Sequence, residues 1–245
     1  MYSAVHDMLI DERELRICSN GTGPPLLMLH DLGDSAAVFE QLTGPVCEAR
    51  RELVALDLPG SGHSDPVPTT DLASFVEYLA LALPALADGK TIDIGGHGFG
   101  GYLALSLAAT LPDMFGHVVV VDPALPPRSG PAASSRMSMG MAVNGALTTL
   151  RRGKLRQNLS GLSRARSVLD QLAQADPAWW DRLATITAPT LILGHSGADT
   201  GERALLDQLA GAVPDAKRNT VAGGRRPHVA DPADFAGHVL DFVAT

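Results

Sequence analysis

The chain has 245 residues, enough for one α/β domain with a sizeable core and an inserted cap. Its 27 acidic residues against 19 Lys and Arg give a net charge of −8, which argues against nucleic acid as a partner. No apolar run reaches the roughly 18 residues of a membrane helix, no charged-then-apolar leader opens the chain, and Cys18 and Cys47 lack metal-type spacing. The expectation is therefore a cytoplasmic protein with reduced thiols and no membrane partner.

Short apolar runs alternate with helical patterns, as in a parallel sheet wound with helices. Val5–Ile10 and Leu15–Cys18 predict a leading hairpin, and Leu26–His30 a buried strand after a Gly-Thr-Gly-Pro-Pro turn. Val38–Ala49 predicts a short helix, and Leu53–Asp57 the next strand, closed by Pro59-Gly60-Ser61-Gly62. Asp71 is placed to cap a helix running through Leu86. Thr91–Gly95 reads as a strand, Phe99–Thr110 as a helix and Val118–Asp122 as a strand.

The pattern changes over Ala124–Thr187, which has no strand signal, three expected helices, Gly and Pro breaks, and Met137, Met139 and Met141. From Ala124 to Arg182, nine Lys and Arg stand against Asp170, Asp176 and Asp181, a local charge of +6 that leaves −14 for the rest. A basic insert on an acidic body attracts an anionic ligand; solvated helix faces account for the charge at least as simply. Trp179 and Trp180 either line a pocket mouth or pack the insert onto the body. Strand alternation returns at Thr190–Leu193, followed by a helix at Glu202–Ala212, a strand near Arg218–Val221 and a closing helix at Pro232–Val243.

Five motifs carry a resemblance. Leu27-Met28-Leu29-His30-Asp31-Leu32-Gly33 is similar to a strand ending in H-G-x-G, and Asp57-Leu58-Pro59-Gly60-Ser61-Gly62-His63-Ser64 to a D-x-x-G-x-G-x-S turn. Gly96-His97-Gly98-Phe99-Gly100-Gly101 resembles G-H-S-x-G-G, the nucleophile elbow between a strand and a helix. Pro189–Gly194 resembles the strand before a triad acid, and Ala222–His228 the loop of a catalytic histidine. In this order they resemble the α/β-hydrolase superfamily over essentially the whole chain. The resemblance implies an α/β-hydrolase fold: a mostly parallel eight-stranded sheet, helices on both faces, and a helical lid after the sixth strand. Residues 1–123 and 188–245 would form the core and 124–187 the lid. The likeness speaks for fold more than for chemistry.

Three departures bear on chemistry. Gly98 stands where the serine belongs, and loss of a triad serine costs on the order of 10⁶ in rate. Arg225 stands where the family has its histidine; a guanidinium is no base at neutral pH, but it binds a carboxylate, steadies an oxyanion or forms a structural ion pair. His228 falls on a second histidine that begins the last helix, and is the less favoured base. Asp31 replaces a glycine, and is open to use as a general acid or base, as a cap or as a solvated residue. The oxyanion hole needs only backbone N–H groups, by position those of Leu32 and Phe99, so it is expected to persist. Asp199 corresponds to the triad acid despite a longer spacing, with Asp122 the other acid position used in the superfamily. His97 belongs to the elbow, where it packs beside the site or reaches into it; His30 reads as structural.

Three functions follow from these residues. The leading one is a cofactor-independent, non-hydrolytic enzyme: a cyclase, isomerase, lyase or decarboxylase, as found in secondary metabolism. It would act on a carbonyl-bearing, possibly anionic small metabolite through the oxyanion hole, Asp31 and Arg225, with His97 nearby. The second is a ligand-binding pseudoenzyme. The third is an ester or lactone hydrolase working without an acyl-enzyme through Asp31 or His228. No dinucleotide fingerprint and no metal-ligand cluster stand out, so neither a cofactor nor a metal is expected, and a homodimer stays open.

Overall fold

The computed structural model describes residues 1–130 and 155–244. Among these residues eight strands form one sheet: β1 (Ala4–Ile10), β2 (Arg13–Gly21), β3 (Pro25–Leu29), β4 (Glu52–Leu56), β5 (Ile92–His97), β6 (Phe115–Val121), β7 (Thr190–His195) and β8 (Ala216–Val221). Their order is β1-β2-β4-β3-β5-β6-β7-β8, with β1 and β2 antiparallel to their neighbours and every other pairing parallel. The central strands β3, β5 and β7 are buried along their whole length, which is why they read as continuous apolar runs.

Helices cover both faces. On one, α2 (Leu72–Ala87), α3 (Phe99–Thr110) and α6 (Thr200–Ala212) bury Phe75, Leu79, Leu103, Leu107 and Leu209 against the sheet. On the other, α1 (Thr43–Glu48) and α7 (Pro232–Val243) bury Val46, Phe235 and Val239. The expected helix at Val38–Ala49 splits into a 3₁₀ turn, Ala36–Leu42, and α1. Pro45 lacks an amide proton, so it is tolerated in the first turn of a helix and not in its interior; the helix restarts around it. Asp71 caps α2 as expected, accepting from Ser74 N–H at 2.8 Å.

After β6 the described part of the insert contains α4 (Leu155–Leu172), α5 (Pro177–Arg182) and a 3₁₀ turn, Leu183–Thr185. Met137, Met139, Met141, Arg136, Arg151, Arg152 and Lys154 lie outside the described residues. Both tryptophans pack the insert onto the body. Each is 1% exposed; Trp179 Nε1 donates to Ser106 Oγ on α3 at 2.8 Å, and Trp180 Nε1 to the Pro126 carbonyl at 2.9 Å. Gln171 ties α4 to the start of α2, donating to Thr70 O at 2.7 Å and accepting from Leu72 N at 3.1 Å. Arg128 and Arg166 are paired with Asp181 and Asp170 at 3.2 and 3.8 Å, so part of the basic stretch is neutralised locally. Among the described residues no helix is long and apolar enough to cross a membrane.

Candidate active site

The C-terminal ends of β3, β5, β6 and β7 bring His30, Asp31, His97, Gly98, Asp122 and His195 to one edge of the sheet. Ligand sites of open parallel sheets form on this edge. The turn from β5 to α3 is tight because its glycines permit it. Gly98 has φ 56° and ψ −118°, a conformation costly for other residues. A Cβ on Gly100 would collide with the Leu29 carbonyl, so α3 packs against β3 only without one.

Gly98 leaves a space, and Asp31 fills it. A Cβ built on Gly98 would lie 2.6 Å from Asp31 Oδ2 and closer still to Cγ and Oδ1. The carboxyl group reaching over from β3 thus occupies the position from which a side chain at 98 would project. Its Oδ1 accepts from the backbone N–H groups of both Leu32 and Phe99, each at 2.8 Å. These are the two N–H groups that the sequence suggested for an oxyanion hole, and here Asp31 takes both. Asp31 Oδ2 accepts no hydrogen bond from the described residues. The aspartate is partly exposed, and its Oδ1 caps the first N–H of α3 from outside that helix.

The neighbouring groups are held in pairs. His30 is fully buried; its Nδ1 donates to Asp31 O at 2.7 Å and its Nε2 accepts from Leu58 N at 2.9 Å, so the ring is a neutral brace whose basicity burial depresses. Asp34 binds Arg226 through both carboxylate oxygens at 2.9 Å. Burial raises the Asp34 carboxyl above the usual carboxylate range, and Arg226 opposes that rise. His97 Nε2 donates to the Arg225 carbonyl at 2.7 Å, and its ring packs 4.7 Å from that of His228.

His228 is fully buried between Phe39, His97 and Phe235, and neither ring nitrogen has a hydrogen-bond partner among the described residues. Burial pushes its pKa down to about 2. A ring so enclosed stays neutral and has no path to a substrate. Arg225 is half exposed and pairs with Glu202. Asp199 forms a capping box at the start of α6: its carboxylate accepts from Glu202 N, and Glu202 accepts from Asp199 N, both at 2.9 Å. The residue at the triad-acid position thus serves its own helix.

One pair was not singled out from sequence. His195, at the end of β7, donates from Nδ1 to Asp122 Oδ2 at 2.8 Å. Both side chains are buried, at 7% and 9% exposure, and burial raises the Asp122 carboxyl while His195 opposes the rise. Asp122 has φ 39°, rare for a residue with a side chain. The signal was present in the sequence: Asp122 directly follows the apolar run of β6, and His195 follows that of β7 after Gly194. Among the described residues no group of three or more potential ligands could hold a metal ion. A separate groove of about 590 Å³ lies between α2, α3, α4 and α5, over Tyr102 and Trp179, and Asp31, His97, Gly98, Asp122, His195, Asp199, Arg225 and His228 do not line it.

Comparisons with known proteins agree with this architecture. Residues 26–238 match the model of the alpha/beta hydrolase family. Over 84% of its length the chain is 25% identical to polyketide synthase ThaQ of Burkholderia thailandensis, a match covering 11% of that protein. Over 34% it is 42% identical to the pimeloyl-[acyl-carrier protein] methyl ester esterase of Shewanella sp. (strain MR-7), covering 30% of it. The chain thus spans less than a third of either relative. A crystal structure of a serine hydrolase involved in carbazole degradation superposes with a TM-score of 0.81 at 14% identity, covering 100% of this chain and 99% of that one; at this identity the likeness is one of fold.

Proposed function

The chain belongs to the alpha/beta hydrolase family, and on that premise we propose that it is a hydrolytic enzyme whose reactive group is the Asp31 carboxylate, standing in for the serine of the elbow. The observation that carries this reading is the division of labour within one carboxylate. Oδ1 takes both hole donors at 2.8 Å, and Oδ2 is left without a partner among the described residues. A general base needs only Oδ2 and leaves the hole idle. A nucleophile uses both oxygens, because an ester formed on Oδ2 keeps its carbonyl, Oδ1, in the hole. Water adding to Cγ would then develop its charge where two N–H groups already point.

The same geometry selects the substrate class. With Leu32 and Phe99 committed to Asp31, a substrate carbonyl attacked by Oδ2 would gain charge without those donors. Displacement at a saturated carbon sends the charge out on the leaving group instead. The favoured substrate is therefore a small neutral molecule with an electrophilic saturated carbon, such as a haloalkane or an epoxide. The leaving bond breaks as the Oδ2–carbon bond forms; water then splits the ester, returning the carboxylate and releasing an alcohol or diol.

A second reading draws on Arg225. Paired with Glu202, it gives the loop after β8 no imidazole to activate water. This favours non-hydrolytic chemistry in which Oδ2 only moves a proton on a carbonyl-bearing metabolite, as in an isomerase, cyclase, lyase or decarboxylase. Enolate stabilisation by Leu32 and Phe99 would then require Asp31 to leave the hole.

The test is a panel of 1-bromohexane, 1,2-epoxyhexane, hexyl acetate and γ-decalactone, with the wild type and Asp31→Asn. Turnover of the bromide or epoxide, lost by at least about 10³-fold in Asp31→Asn at unchanged melting temperature, supports the proposal. Ester or lactone cleavage that survives Asp31→Asn, or no turnover of any compound beside ligand binding, overturns it. The latter outcome leaves a binding protein.

A further inference from the structure

We infer that this chain forms a two-fold symmetric homodimer in which β1 pairs antiparallel with β1 of a second copy, centred on Asp7, so that the two eight-stranded sheets become one. The surface lies at the side of the sheet. β2 and β4 separate it from β3 and Asp31, and nothing in it depends on the chemistry proposed there.

Among the described residues β1 and β8 are the two edges of the sheet, and they differ. An edge strand presents main-chain N–H and C=O groups that a further strand can take, so proteins blunt such edges with charge, proline or bulges. β8 carries Lys217 and Arg218 side by side. β1 has neither lysine nor proline, and its residues pair with β2 in unbroken register. Val5, Asp7 and Leu9 alternate onto one of its faces, and on that face Asp7 lies opposite Arg16 of β2. The two apolar members stand in solvent: Val5 is 53% exposed and Leu9 71%.

The main chain of β1 points the same way. On β2, Arg16 and Glu14 spend both of their main-chain groups on the side away from β1. Arg16 O accepts from Asp57 N at 3.1 Å, and Arg16 N donates to Ser64 Oγ at 2.8 Å. Glu14 O accepts from Asp65 N at 2.8 Å, and Glu14 N donates to Asp65 Oδ2 at 2.9 Å. In an antiparallel ladder the residues opposite such positions direct their own groups outward. Those residues are Asp7 and Leu9, and the alternation adds Val5. The residues that share the outer face thus also offer N–H and C=O to the open edge.

A second copy of the chain fits this edge because the edge is complementary to itself. A two-fold axis at Asp7 sets Val5 opposite Leu9 of the second copy, Leu9 opposite its Val5, and Asp7 opposite Asp7. Each of these pairs exchanges two main-chain hydrogen bonds, and the Val–Leu pairs set apolar on apolar. Each facing carboxylate is held by Arg16 of its own chain, whose Nη2 lies 2.9 Å from Oδ2, so the row across the axis is charge-balanced. A register shifted by two residues would set Asp7 against Val5 or Leu9, so the apolar pairs select the centred one. The contact closes on itself, since both copies contribute the same edge and keep the basic β8 edge outward.

The experiment is sedimentation velocity of the wild type and Leu9→Lys, with oxidative cross-linking of Asp7→Cys and Val5→Cys beside the wild type, each variant first checked for native melting. The wild type is expected to pass from monomer to dimer between about 1 and about 500 μM, as a small interface does. Leu9→Lys should weaken self-association by at least about tenfold. Asp7→Cys should give a disulfide-linked dimer, because the facing Cα atoms lie about 5.5 Å apart. Val5→Cys should not, since its two copies lie about 14 Å apart along the strands. A wild type that stays monomeric at about 500 μM, a dimer untouched by Leu9→Lys, or cross-linking of Val5→Cys as fast as that of Asp7→Cys overturns the inference. Each of these outcomes leaves the Asp31 reading as it stands.

Discussion

At the elbow, a missing side chain is refilled from the neighbouring strand; at the corner formed by β6, β7 and the loop after β8, the charged groups remain and change partners. Asp31 sits over Gly98 and engages the backbone N–H groups of Leu32 and Phe99. In the second corner Asp199 caps a helix, Arg225 holds Glu202, and His195 takes Asp122. The difference teaches which features a fold protects. The direction of the Phe99 N–H is set by the strand–turn–helix geometry and needs no side chain at 98. Side-chain pairs have no such protection and re-form wherever burial and charge allow.

The sharpest way to break the comparison is to put the serine back. Gly98→Ser places a Cβ on the Asp31 carboxyl group, in a backbone conformation that favours glycine. It should cost about 3 kcal/mol in denaturant unfolding. Gly98→Ser with Asp31→Gly should recover at least about 1 kcal/mol of that, because the two sites compete for one space. Additive losses would mean that the elbow and Asp31 are independent.

The second corner carries the next largest effect, through pH. His228 has its folded-state pKa depressed to about 2 against an ordinary 6.5. Below about pH 6.5 the unfolded chain binds a proton that the folded chain refuses, so stability falls with falling pH across the window from about 6.5 to 2. The loss amounts to about 3 kcal/mol near pH 4. Burial shifts His30 in the same direction. The raised carboxyls of Asp34 and Asp122 act oppositely, binding protons more readily when folded. His228→Phe should flatten the acid limb of a stability–pH curve measured by thermal melting; an unchanged slope would show that the ring titrates freely.

Much of the fold was legible in the sequence, and the reason is local. Phe99–Thr110 is a helix over the predicted residues, because the glycines before it and the apolar pattern within it act at short range. Leu32 and Phe99 were likewise readable as donors, since position alone determines where a backbone N–H points. Where Asp31 would go was not readable. A carboxylate at a strand end has solvent, a cap or a cavity open to it, and only the packed elbow decides between them. The pairing of His195 with Asp122 depends on the register of β6 against β7, two strands separated in sequence by the whole insert. Asp199 is a different case. Asp-x-x-Glu before a helix is a capping signature visible in the sequence, and the structure uses it as one.

Smaller effects sharpen the same contrast. Asp199→Ala should cost about 1 kcal/mol through loss of the capping box and leave turnover unchanged, measured by melting and by the substrate panel. A drop in turnover beyond that stability loss would return Asp199 to the chemistry. Arg225→Gln removes a half-exposed ion pair and should change stability by no more than about 0.5 kcal/mol.

The most direct measurement of the central claim is the fate of water oxygen. Several turnovers of 1-bromohexane in ¹⁸O-enriched water, followed by mass spectrometry of the peptide containing Asp31, should show the heavy isotope in the Asp31 carboxyl group, because water attacks Cγ and not the substrate carbon. Heavy oxygen found in hexanol from the first turnover, with none in Asp31, would contradict the account and make Asp31 a bystander or a base.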